Sequence, residues 1–218
     1  MVIFTEPKLV PIFLEMRKTF EPQTIVISLP WSEFMANRRW GTEFWEEEYA
    51  KDAETAHSPA LYRVWYEKKE FVLRAIGMKA FGADRFIWCD AGILRFPKWL
   101  DVMQHFPLAS SIPAGKMTLL KIAPFEENDT EETCFDGKNR IGGGIQAADA
   151  ETWVWWSGVY DEMLRLYIAS NKFCGKDQSI MAACVLRYPQ KIHLVTPSPQ
   201  LNAIEKWFHL LLHFSGVL

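Results

Sequence analysis

The sequence predicts an α/β domain: a mixed, mostly parallel central sheet flanked by helices. Two observations carry this. The chain opens strand–helix–strand, with Val2-Ile3-Phe4, an apolar-periodic segment from Leu9 to Phe20, and Thr24 to Leu29, the usual start of a parallel α/β unit. Further on, Phe86-Ile87-Trp88-Cys89 is a continuous apolar run that ends in Asp90-Ala91-Gly92. Such a run reads as a central strand covered on both faces, and ligands of open α/β sheets bind beyond the carboxyl ends of such strands.

Bulk composition fits one domain. The 218 residues suffice for a single well-buried core, and 49% hydrophobic with 23% charged residues is ordinary for a soluble globular protein. A net charge of −3 argues against general nucleic-acid binding. The ten Trp serve as core filling or as sugar-stacking surface. Cys89, Cys134, Cys174 and Cys184 form no close pair and no metal-ligand spacing. Cys89 and Cys184 lie in apolar runs and read as buried thiols of a reducing compartment. Residues 1–30 lack a signal-peptide pattern, and no apolar run approaches membrane-spanning length. The expectation is a cytoplasmic protein with no membrane span.

In chain order, Thr5 and Glu6 fall at the carboxyl end of the first strand, a ligand edge. The helix from Leu9 to Phe20 presents Val10, Phe13, Leu14 and Met16 to the sheet, and Pro22 stops it. Residues 31–57 have no clean period and suit short helices or a lid, with Glu46-Glu47-Glu48 as a solvated face. Ser58-Pro59 starts a strong helix, Ser as N-cap and Pro in the first turn, ending at Gly77 or Gly82. After the strand at Phe86, Pro97 to Phe106 is helical and Met117 to Ile122 is a strand. Glu126 to Lys138, acidic and without period, reads as an exposed mobile loop.

Gly142-Gly143-Gly144 lets a ligand or a strand approach closely, but its spacing is neither a dinucleotide fingerprint nor a phosphate-binding loop. Thr152 to Ala169 is a helix with Trp153, Trp156 and Tyr160 on its buried side, and Ser179 to Leu186 is another. Asp177 before it either caps that helix or, paired with Gln178, points into a cleft. Asp90 has the same two readings, as the cap of a turn or as a ligand group. Ile192 to Val195 is a late strand. The apolar tail from Trp207 to Gly216 stops in mid-pattern, so a domain spanning 1–218, cut from a longer polypeptide with further domains, is expected.

Four stretches, Ser58 to Lys68, Trp88 to Arg95, Gly142 to Gly144 and Gly175 to Gln178, resemble in order the HtrL/YibB-like family. Its pattern is a Ser-Pro-x-Leu-Tyr-x-x-Trp-x-x-Lys helix, a Trp-x-Asp-Ala-Gly-Ile-x-Arg strand end, a Gly-Gly segment and Gly-Lys-Asp-Gln. Together these stretches look like a GT-A glycosyltransferase, and they are similar to chlorella-virus enzymes that decorate capsid glycans. That resemblance implies a UDP-sugar donor (UDP-glucose-like or UDP-rhamnose-like), transfer of a hexose or deoxyhexose to a glycan or glycoprotein acceptor, and, for a viral protein, the host cytoplasm.

A more distant similarity to the glycogenin and lipopolysaccharide-galactosyltransferase family implies roles for single residues. Asp90 matches the first Asp of an Asp-x-Asp metal motif, Gly143 to Gln146 the sugar-lining segment, Asp177 and Gln178 the pair near the anomeric carbon, and His213 to Gly216 the metal- and diphosphate-binding tail. Retention of configuration and a divalent cation, Mn²⁺ or Mg²⁺, on Asp90 and His213 are implied with them. Thr5, Lys68, Ala91, Gly92, Arg95, Gly143, Gly144, Gln146 and Gly216 complete the expected donor site, with Lys68 and Arg95 stabilising the leaving diphosphate. The departure is Gly92, which stands where the second Asp would be and has no side-chain ligand. A non-catalytic module that binds nucleotide-sugars or glycans is the competing expectation.

Overall fold

The computed structural model describes residues 1–54 and 56–217. Strands β1 (Val2–Thr5) and β2 (Ile25–Ser28) pair in parallel as a small sheet. The larger sheet holds β3 (Arg85–Cys89), β4 (Met117–Lys121), β5 (Ile141–Asp149) and β6 (Ile192–Val195) in the order β3-β5-β4-β6. Here β5 runs antiparallel to both β3 and β4, and only β4 and β6 are parallel. The expectation of a mostly parallel sheet is therefore corrected: this sheet is mixed. The segment between β4 and β5 carries no helix, and a parallel pairing would need a crossover of that kind.

The apolar strand β3 is not central either. It hydrogen-bonds to β5 at one end of the four-stranded order, and all five of its residues are half-buried. Its continuous apolar character comes from facing two cores. Phe86 and Trp88 pack on one, while Ile87 and Cys89 pack on the other. The first core is built on helices α3 (Pro59–Gly77), α4 (Ala150–Ala169) and α5 (Asp177–Arg187). The second lies across the sheet, under Trp99, Ile112 and the short helix α6 (His209–His213).

Helix α3 begins where the sequence places it, with Pro59 in the first turn and the Leu61 N–H donating to Ser58 Oγ at 3.3 Å. It is enclosed on most sides, and the consecutive charged residues Glu67 to Glu70 are all buried. Each therefore has a partner, since a buried charge without one is expensive. The Lys69 ammonium meets Glu70 and, at 3.0 Å, Asp161 of α4. Glu67 accepts the Ala36 N–H at 3.0 Å, at the start of helix α2 (Met35–Lys51). Phe4 stacks on Phe71 at 4.9 Å, and Phe71 on Trp88 at 5.6 Å, so this helix also ties the small sheet to the large one.

Four local expectations change. Helix α1 (Val10–Met16) buries no residue, and Leu14 and Met16 are exposed. The unsettled segment before α3 is mostly α2, bent at Gly41, whose φ of 76° suits glycine. Glu48 is buried against Lys51 and the Cys174 N–H rather than solvated. The acidic segment after β4 is exposed at most positions, as expected, but is anchored to the rest of the chain: Arg140 pairs with Glu126 and Asp129, the Tyr167 hydroxyl donates to the Thr133 carbonyl, and Phe135 is buried. Cys174 and Cys184 are buried thiols, whereas Cys89 is half-buried and Cys134 exposed. No helix among the described residues is long and apolar enough to cross a membrane.

Candidate functional site

A cleft of about 500 Å³ opens at the carboxyl end of β3. Lys68 from α3, Asp90 after β3, Gly143 and Gly144 from β5, and Asp177 from α5 form its floor. Trp65, Ile204, Trp207 and Phe208 give it an aromatic and apolar rim. Five segments far apart in sequence thus meet in one concave site, the default place to look for a ligand.

An irregularity in β5 shapes the floor. Thr118 of β4 pairs with Ala147 and Leu120 with Gly142, so residues 143–146 of β5 lie across from Leu119 alone. Extra residues of this kind bend a strand and re-aim its backbone. Here the bend turns the Gly143 carbonyl to the Lys68 ammonium, which donates to it at 2.9 Å. Gly143 has no room for a side chain, because a Cβ would lie 2.8 Å from Asp177 Oδ2. At Gly144 a Cβ would lie 2.9 Å from Ile93. The glycine run therefore admits close approach, as expected, but what approaches is the chain's own Asp177 and Ile93.

Asp177 is the first residue of α5, and its side chain, 3% exposed, caps nothing. It lies instead 2.9 Å from Lys68 Nζ, a contact not aligned as a hydrogen bond, which leaves Asp177 Oδ2 a buried acceptor without a proper donor. Asp90 does not cap the following turn with its side chain. Its Oδ1 accepts the Trp88 indole N–H at 2.7 Å and sits 3.5 Å from Lys68 Nζ. Burial alone would push the Lys68 ammonium down, but Asp177 and Asp90 outweigh it and hold the group above the usual lysine range. The Asp90 carboxyl is pushed up, first by desolvation and further by Asp177, against the pull of Lys68 and the Trp88 N–H.

Gln178 also lines the cleft, with its amide N–H tied to the Ile141 carbonyl at 2.8 Å. Arg95 stands at the mouth, donating from Nε to the Gly92 carbonyl at 3.0 Å and lying over the Phe208 ring at 5.4 Å. Gly92 lines the cleft too. The other expected residues lie outside the lining. Thr5 ends β1, and its carbonyl accepts the Leu29 N–H. Ala91 is exposed beside Asp90, and Gln146 is buried within β5. Gly216 turns the tail with a φ of 72° beside Leu108.

His213 is likewise outside the lining, with its ring facing His193 at 6.3 Å. The implied metal does not fit the residues present. Asp90 already meets an ammonium and an indole N–H on one oxygen. Among the described residues, no three or more His, Cys, Asp and Glu side chains gather as a metal site.

The rim residues are not among those that the sequence singles out. Trp65 is three residues before Lys68, one helical turn away on the same face; that spacing was the available signal. Ile204, Trp207 and Phe208 come from an apolar tail that gives no hint of which side chains face the cleft.

A family model described as "Bacterial protein of unknown function (HtrL_YibB)" matches residues 1–216. No curated protein and no solved structure matches the chain. With a match over nearly its whole length, on top of the ordered motifs at Ser58, Trp88, Gly142 and Gly175, the chain belongs to the HtrL_YibB family of bacterial proteins of unknown function.

Proposed function

We propose that the cleft is the donor site of a GT-A glycosyltransferase, which moves a hexose or deoxyhexose from a UDP-sugar to a glycan or glycoprotein acceptor with retention of configuration. One observation carries the reading. Asp177 is buried in the cleft with an oxygen lacking an aligned donor, beside Gln178 and within an aromatic rim. A fixed carboxylate of this kind stabilises an anomeric carbon that gains positive charge as its bond to the diphosphate breaks. The new bond forms to an acceptor hydroxyl, whose proton passes to the leaving diphosphate.

Arg95, which pairs with no carboxylate among the described residues, is the cation left to meet that diphosphate. Trp65 and Trp207 offer flat apolar faces to sugar rings. No step here runs through a metal, and the bacterial family carries no claim of viral origin.

Titration with UDP and UDP-sugars tests the donor site, and Asp177→Asn tests the chemistry while keeping the residue's shape. Binding by both proteins, with transfer or donor hydrolysis lost in the variant, is the expected result. Absence of binding in the wild type refutes the donor site, and turnover surviving in Asp177→Asn refutes the role of the carboxylate. One observation favours the second reading, a non-catalytic binding module: Lys68 already neutralises Asp177. Wild-type binding without any turnover of a bound donor would select that reading.

A further inference from the structure

Among the described residues, Lys68 is the one cation on the cleft floor, and the proposed reaction gives it no ligand to hold. Its side chain is 4% exposed. Three oxygen atoms from three different segments converge on its Nζ: Asp177 Oδ2 at 2.9 Å, the Gly143 carbonyl at 2.9 Å and Asp90 Oδ1 at 3.5 Å. Of the three, the Gly143 carbonyl takes an aligned hydrogen bond, while the two carboxylates are held by charge at ion-pair distance. Two carboxylates and a carbonyl around one point form the all-oxygen set that hard divalent cations take. Here an amino-acid side chain stands at its centre.

The surroundings keep it there. The Trp88 ring lies 6.0 Å from Nζ, and the indole N–H of the same residue holds Asp90 at the correct side. Asp177 is fixed at the first turn of α5, against a β5 backbone with no Cβ at position 143. Lys69, the next residue of α3, is anchored separately on Asp161 of α4, which resists any sliding of the helix that would withdraw Lys68. Without the ammonium, the buried Asp177 carboxylate would face the partly exposed Asp90 carboxylate with nothing between them, a state that favours a proton or another cation.

We propose that the Lys68 ammonium is a built-in cation that fills the position between Asp90 and Asp177 where a divalent ion would otherwise sit. The cleft then takes its ligand without a metal, and Lys68 is a positioning residue that fixes Asp177. This inference goes beyond the donor reading and stands whatever the ligand is, because it concerns the chain and a cation alone.

The test uses Mn²⁺ by itself with the full chain, followed by electron paramagnetic resonance and by calorimetry. Wild type should show no stoichiometric site. Lys68→Ala vacates the position and should gain one Mn²⁺ per chain, at least about tenfold tighter than anything in wild type, given the size of the charge removed. Adding Asp90→Asn to that variant should remove the gain. Should Lys68→Ala fail to fold, Lys68→Gln, shorter and uncharged, makes the same test. A stoichiometric wild-type site that Asp90→Asn abolishes would overturn the proposal, and so would a folded, ammonium-free variant that gains no Mn²⁺. A purely structural lysine would change stability on removal but would create no metal site.

Discussion

Replacing Gly143 by Ala tests the geometry of the floor without touching a charged group. The added Cβ would meet Asp177 Oδ2 at 2.8 Å, Oδ1 at 3.2 Å and Cγ at 3.3 Å. Asp177 cannot retreat freely, since it is buried and opens α5 beside Lys68. Forcing one extra carbon into a closely packed site costs about 1–3 kcal/mol. Part of this is offset by about 0.5–1 kcal/mol, because alanine has less freedom than glycine to lose on folding. The net loss should be about 1–2 kcal/mol, or roughly 2–8 °C in Tm for a domain of this size. Thermal melts of the wild type, Gly143→Ala, Asp177→Ala and the double variant measure it. With the carboxylate removed the new methyl has room, so Gly143→Ala should cost close to nothing in the Asp177→Ala background. An equal cost in both backgrounds, within about 0.5 kcal/mol, would show that the two residues do not touch as described.

Gly158→Ala is the opposite case: the glycine lies exposed within α4 with open space where a Cβ would lie, and alanine there should stabilise by about 1 kcal/mol in the same melts. Asp161→Ala should be far more damaging, at about 3–5 kcal/mol in urea unfolding. It strips the buried Lys69 of a partner at 3.0 Å, and Arg39 and the Tyr66 hydroxyl of partners at 2.9 and 3.1 Å. Burial lowers the pKa of His193, His209 and His213, with Lys116 adding to it at His193, His213 at His209, and His193 at His213 against a smaller upward pull from the Ser111 backbone. The folded state then holds these rings neutral, while the unfolded chain takes up protons near pH 6.5. Stability should fall as pH drops below about 6.5 and through the lowered folded values. His209→Phe should flatten that slope in melts across pH 5 to 7, and an unchanged slope would exclude its share.

Local signals in the sequence are faithful where the chain's own neighbours decide the outcome. Ser58-Pro59 marks the start of α3 because cap and first turn are local hydrogen-bond chemistry. The strands at Phe86, Met117 and Ile192 form where apolar, β-branched or aromatic residues cluster. Strand direction is different. The antiparallel course of β5 depends on which strand it meets, and nothing within Ile141 to Asp149 encodes that. The buried state of Glu48 and of Glu67 to Glu70 is equally invisible, because their partners at Cys174, Ala36 and Asp161 come from distant segments. The irregular pairing opposite Leu119, which aims the Gly143 carbonyl at Lys68, is of the same kind.

The departure at Gly92 gains a physical sense from the same geometry. Read as half of a metal motif, a glycine there is a loss, since Asp would add a second carboxylate near Asp90. In the folded chain a Cβ at position 92 would lie 3.5 Å from the Arg95 guanidinium, which already holds the Gly92 carbonyl. An aspartate at 92 would therefore pair with Arg95, in the bidentate geometry that guanidinium and carboxylate favour. It would take from the mouth of the cleft the one lining cation that, among the described residues, pairs with no carboxylate. On the floor the single Lys68 ammonium already faces two carboxylates and could not replace the arginine so lost. Gly92, Lys68 and Arg95 are thus consistent parts of one charge arrangement: a lysine between the two floor carboxylates, and an arginine kept free by the absence of a third.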